Sequence, residues 1–136
     1  IENNGTTGLA IVSYADDFED ANYYPHPKSI QVHNNSYINN GNKPDIESNE
    51  LARILYDLSN GKMADIFWDG VLPFSQMLFG QTANEKIIIQ ENPDTSLLVL
   101  DPIKYMLPFF DPIRKDHAEF QGTIQPLEVI EIDAIL

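Results

Sequence analysis

The sequence predicts an α+β protein, with a largely antiparallel β-sheet, one clear amphipathic helix and extensive loops. Three observations carry that expectation. Strand-like runs recur without regularly spaced crossover helices, which argues against a doubly wound α/β sheet. Leu51, Ile54, Leu55 and Leu58 repeat at i, i+3, i+4 and i+7, one apolar helical stripe. Nine prolines and many Asn-rich turns break up the remainder.

At 136 residues the chain fits one domain. Residues 1–8 read as a polar N-terminal arm or disordered lead-in, and residues 9–136 as a single globular domain. Gly8 to Ala15 is apolar on both faces and reads as a central strand. The acidic run Asp16, Asp17, Glu19, Asp20 ends it. Pro25 and Pro27 then forbid helix. Ser29 to Val32 alternates apolar and polar residues, as a half-buried strand does. Asn40-Gly41 signals a tight turn.

The stripe helix follows, with Asp45 or Ser48 as its expected cap and Asn60-Gly61 as its left-handed stop. Met63 to Trp68 reads as a weaker helical stretch. Gly70 and Pro73 bracket an aromatic piece, Phe74 to Phe79. Lys86 to Gln90 and Ser96 to Leu100 read as two strands joined by a link of hairpin length. Asp101-Pro102-Ile103-Lys104 recurs as Asp111-Pro112-Ile113-Arg114; Asp as cap with Pro at the first helical position favours a helix opening, and the two read as short helical turns or loops separated by Pro108. Leu127 to Leu136 alternates as a final strand.

The charge balance restricts the partners. Twenty-one Asp and Glu face eight Lys and Arg, a formal net charge of -13. Phosphate backbones are gripped by Lys and Arg that displace counterions, so a nucleic-acid partner is not expected. Docking on anionic lipid fails for the same reason, and no apolar run has the length of a membrane span. The chain has no cysteine, which removes disulfides, thiolate catalysis and Cys-ligated metals. Two glycosylation triplets, at Asn4 and Asn34, match what an Asn-rich chain produces by chance.

Catalytic motifs are absent: there is no phosphate-binding Gly loop, dinucleotide fingerprint or nucleophile elbow. Asp16, Asp17, Glu19 and Asp20 are the candidate cation ligands, with calcium the ion that dense carboxylates suit; their spacing lacks the alternation and Gly of a calcium loop. Asp65 and Asp69, four apart, would share a helix face. His26, His33 and His117 show no metal spacing. His117 with Asp116, Asp111, Glu119 and Ser96 can be written as a scattered acid–base set, supported only by proximity in sequence.

The aromatic stretches offer more. Phe109 and Phe110, flanked by Pro108 and Pro112, form a rigid knob; with Tyr105, Trp68 and Phe74 they are the candidate interface residues, since aromatics concentrate at interface cores. Tyr14, Tyr23, Tyr24 and Tyr37 are a second candidate contact set.

Three functional readings result. The favoured one is a non-enzymatic structural or assembly protein, of the virion, tail, fibre or surface-filament kind, acting through protein–protein contacts and self-association. The second is a compact acidic inhibitor or immunity protein that binds a basic enzyme or mimics nucleic acid. The third is a small enzyme or ligand-binding domain with a scattered site. The expected chain is soluble, in a virion or extracellular setting, without a cofactor other than calcium.

Overall fold

The computed structural model describes residues 1–14, 19–124 and 126. Helices and strands are mixed along the chain. The order is β1 (Leu9–Ile11), β2 (Gln31–His33), α1 (Glu50–Leu58), β3 (Ile66–Trp68), α2 (Phe74–Phe79), β4 (Ile88–Gln90), β5 (Leu97–Leu100), α3 (Pro102–Tyr105) and β6 (Ile113–Arg114). A 3-10 turn follows at His117–Phe120.

The sheets are mainly parallel, which corrects the antiparallel expectation. One has the order β1-β3-β5-β6 and the other pairs β2 with β4. Among the described residues β1–β3, β3–β5 and β2–β4 are parallel and β5–β6 is antiparallel. From β1 to β5, consecutive strands alternate between the two sheets. Each return to a sheet therefore passes through the other one, and the chain arrives running the same way. The link between β4 and β5 has hairpin length, yet it crosses between sheets instead of turning within one. The uninterrupted apolar runs at Ile87–Ile89 and Leu97–Leu100 are the mark of strands buried on both faces, as parallel strands are.

Period-two alternation sorts these side chains into two cores. Ile11, Ile66, Trp68, Leu97 and Val99 of the larger sheet share one cluster with Val32, Ile87 and Ile89 of the smaller, closed by Phe120. Phe67 and Leu98 point the other way and pack with Leu55 of α1 and Ala64. The result is three layers: small sheet, large sheet, helix. Ile66, Ile89 and Val99 are wholly buried, each side chain contributing about 1.5–3 kcal/mol by leaving water.

Several elements differ from the sequence reading. Among the described residues β1 lies at the edge of its sheet, not its centre, and Ala10 is exposed. Met63 to Trp68 holds β3 where helix was expected; Ile66, Phe67 and Trp68 are buried on both faces, and a strand fits between two layers where a helix does not. α1 forms over the predicted stripe, but burial centres on Ala52 and Leu55, while Leu51 is exposed. Its cap is Asn49, whose side chain accepts from the Ala52 N–H, in place of Asp45 or Ser48. Asn60 and Gly61 take the left-handed conformation that ends it (φ 56 and 79°).

The two Asp-Pro repeats diverge. Asp101 caps α3 by accepting from the Lys104 N–H, with Pro102 at the first helical position. Asp111 accepts from the Ile113 N–H and turns the chain into β6, because pairing with β5 claims that backbone. Residues 1–8 run beside residues 36–43: Asn3 N donates to Ile38 O, Gly41 N to Asn4 O, and Lys43 N to Gly5 O. The expected final strand, Leu127 to Leu136, lies outside the described residues. No helix among the described residues is long and apolar enough to cross a membrane.

Candidate functional site

β3 and β5 run parallel, so their carboxyl ends open at one edge of the larger sheet. Chain leaving such ends diverges into loops and leaves a crevice. There Trp68 ends β3, Asp101 follows β5, and α2 and the 3-10 turn close the sides. The space between them is a cavity of ≈ 350 Å³. Its apolar wall includes Trp68, Leu72, Met77, Ile87 and Phe120.

Each polar residue on the wall has a structural reason for its place. Arg114 stands opposite Val99 in the β5–β6 register, so it shares the sheet's inner face. Its guanidinium lies 5.3 Å from the centre of the Phe120 ring, and Nη1 meets Glu119 Oε2 at 3.2 Å. Phe120 in turn meets Trp68 edge to face, 5.7 Å between ring centres. Gln76 on α2 donates from Nε2 to Glu85 Oε2 at 3.0 Å. Lys86 Nζ donates to Gln121 O. Gly70 lets the strand end approach β5: a Cβ there would stand 1.8 Å from Leu100 O.

Hydrogen bonding in this wall is incomplete. Among the described residues, Trp68 Nε1, Gln76 Oε1 and Arg114 Nε are buried atoms without a hydrogen-bond partner, and all three residues line the cavity. Buried polar atoms are otherwise almost always paired.

Behind the cavity, Asp69 holds the loop. Its Oδ2 accepts from Ser13 N at 2.6 Å and its Oδ1 from Val71 N at 3.0 Å. Burial pushes this carboxyl up, against the backbone hydrogen bonds and the nearby His26. Asp65 sits at the other end of β3, bound to Ser96 and Asn40. The strand between them keeps the two carboxylates apart, so the shared helix face expected for them does not exist.

The other sequence candidates are dispersed. Asp16 and Asp17 lie outside the described residues, and Glu19 and Asp20 are exposed, with Asp20 Oδ1 accepting from Asn22 N. Among the described residues no three His, Asp or Glu side chains come together as a metal cage. His117 Nε2 lies 2.7 Å from Thr95 O, Asp116 accepts from Ala118 N, and Ser96 is held by Asp65. The scattered acid–base set is thus engaged in separate structural contacts. Tyr14, Tyr23 and Tyr24 line a second hollow of ≈ 440 Å³ with His26, and the Tyr23 hydroxyl donates to Tyr14 O. Tyr37 stands apart from them, near Glu91 and Asp65.

The interface candidates divide in two. Phe74 (69% exposed), Tyr105 (51%), Phe109 (92%) and Phe110 (58%) lie on the surface, whereas Trp68 (3%) belongs to the core and the cavity wall. Leu78, Phe79 and Met106 are also exposed. No residue of α2 is buried, so spacing alone gave no sign of which side of it would face water. Nor do Gln76 and Arg114 carry a motif; they meet only through the fold.

Comparisons with protein-family models, with curated proteins and with solved structures return no match for this chain.

Proposed function

We propose that this is a non-enzymatic assembly protein that works by protein–protein contact, chiefly with further copies of itself. One observation carries the reading: α2 buries none of its residues while it exposes Phe74, Leu78 and Phe79, and residues 105–110 add Tyr105, Met106, Leu107, Phe109 and Phe110. Single exposed hydrophobes are ordinary; two exposed aromatic segments are not. Aromatics and Met are enriched where interfaces are fully desolvated. Both segments lead off from residues of the same cavity wall, Gln76 and Met77 on one side and Asp101 and Pro102 on the other. A structural component of a virion, tail, fibre or surface filament is the class this suits.

The net charge of -13 sets the sign of one control. Copies of an acidic chain repel, and salt screens that repulsion over about 10 Å at 0.1 M. Association through apolar residues should therefore strengthen with salt. Light scattering behind size exclusion, across concentration and salt, is the test. The expected result is a defined oligomer or polymer that Phe79→Ser with Phe109→Ser reduces to monomer without lowering the melting temperature. A strict monomer at high concentration and high salt overturns the reading.

A further inference from the structure

We infer that the contact between copies is a closed two-fold one, in which the apolar tip formed by residues 105–110 of each copy seats on the cavity mouth of the other, beside α2. The inference rests on the self-association proposed above and names the surface that makes it. Projection and recess belong to one face of the molecule. The chain leaves the cavity wall at Pro102 and returns to it at Arg114. The neck of this excursion is pinned, Asp101 N donating to Pro112 O at 2.7 Å, so residues 102–112 form a closed surface loop. Its first half is stiffened by hydrogen bonds from Tyr105 N to Asp101 O and from Leu107 N to Lys104 O. Phe109 stands on the loop 92% exposed, so the copy that carries it does not cover it. The recess is the cavity of ≈ 350 Å³, and Met77, Gly80, Pro102 and Arg114 are lining residues that keep access to solvent. A Cβ on Gly80 would meet nothing within 4 Å, so the end of α2 leaves the mouth open.

Charge selects a second copy as the occupant. In a chain of net charge -13, residues 70–84 carry no charged side chain and residues 102–110 carry only Lys104. The charges at the rim are paired within the molecule: Lys104 lies 3.7 Å from Asp101 Oδ2, and Arg114 Nη1 lies 3.2 Å from Glu119 Oε2. Two acidic copies can meet on this face without opposing free carboxylates, whereas a basic partner is drawn to the acidic remainder of the surface. The area is sufficient. Phe74, Phe79, Tyr105, Phe109 and Phe110 are exposed, and aromatic side chains bury about 150–250 Å² each, most of the roughly 800 Å² per partner that a stable interface covers. Symmetry sets the outcome. A projection and a recess on separate faces add copies head to tail without end. On one face, a two-fold axis makes both contacts at once and leaves none unused.

The chain contains no cysteine, so introduced thiols report on this contact alone. The experiment makes Leu78→Cys on α2, Phe109→Cys on the loop, and the double variant, all at exposed positions, with circular dichroism to show that each is folded. The two single variants are mixed and mildly oxidised, and the products are separated on a non-reducing gel. The expected result is a disulfide-linked dimer of one copy of each. The double variant should give a covalent dimer and nothing larger. In the otherwise unchanged chain, Phe109→Ser should weaken the dimer by about tenfold or more. A ladder of larger species from the double variant overturns the closed two-fold contact in favour of an open head-to-tail one. An oligomer in light scattering whose mixed single variants do not cross-link overturns the tip-to-mouth contact and leaves self-association standing. A strict monomer at high concentration and high salt overturns self-association itself, and this contact with it.

Discussion

Asp65 and Ser96 hold each other through reciprocal hydrogen bonds at the start of the two central strands. Ser96 Oγ and Ser96 N donate to Asp65 Oδ2 at 2.7 and 3.1 Å, and Asp65 N donates back to Ser96 Oγ at 2.9 Å. The next residues are the paired Ile66 and Leu97, so the clamp sets the β3–β5 register. Asp65 also reaches outward: Oδ1 accepts from Asn40 Nδ2, and its carbonyl accepts from Gly8 N and Leu9 N. One side chain and its backbone thus join four segments of the chain.

Removing that carboxylate should destabilise the protein. Asp65→Ala strips partners from Ser96 and Asn40 together, a loss of about 1–3 kcal/mol. Ser96→Ala should cost less, since the backbone N–H of residue 96 keeps its acceptor. Urea denaturation of both variants measures the difference.

The same pair gives an acid limb. Burial pulls the Asp65 carboxyl up, but the hydrogen bonds from Ser96 and Asn40 outweigh it, and the net shift is down. A depressed carboxylate contributes stability above its unfolded value and loses it as pH falls through the folded value. Asp69 has the opposite sign: burial raises it, so the folded state takes up its proton first and stability from this group rises as pH falls. Stability measured against pH should therefore show a gentler acid limb in Asp65→Asn and a steeper one in Asp69→Asn.

At high pH Tyr37 contributes a dependence of its own. Burial, then Glu91 and Asp65, push its phenol up to about 12. The folded state keeps this proton after the unfolded state has lost it at its ordinary 10.0, so stability from this group falls as pH rises from there through about 12. Absorbance titration should show a late component that is absent from Tyr37→Phe.

Gly70 should tolerate no side chain. Its φ is +65°, and a Cβ would stand 1.8 Å from Leu100 O, a backbone atom that cannot swing aside. Gly70→Ala is expected to cost about 3 kcal/mol or more, combining left-handed strain with overlap. Thermal melting followed by circular dichroism checks it, with a fall of about ten degrees or more.

Core and surface should separate cleanly. Leu98, 2% exposed between the large sheet and α1, should lose about 2–5 kcal/mol on replacement by alanine. Phe109→Ala should change monomer stability by less than about 0.5 kcal/mol, because Phe109 packs against almost nothing. Chemical denaturation at low protein concentration compares them.

The sequence by itself determined the local elements that rest on neighbouring residues. The α1 helix and its Asn60-Gly61 stop, the Asp101-Pro102 helix opening and the short β2, β4 and β5 strands follow from spacing and cap chemistry within a few residues. It also determined the acidic surface and the absence of thiol chemistry. The tertiary structure decided what depends on residues far apart in the chain. Parallel pairing arose because successive strands alternate between sheets, which no hairpin-length link reveals. Met63 to Trp68 became strand because burial on two faces outweighs a weak helical pattern. Trp68 went inward while Phe109 stayed outside, although composition treats them alike. The cavity is the furthest case: Trp68, Gln76 and Arg114 come from a strand end, a helix and an edge strand, and only folding brings them to one wall.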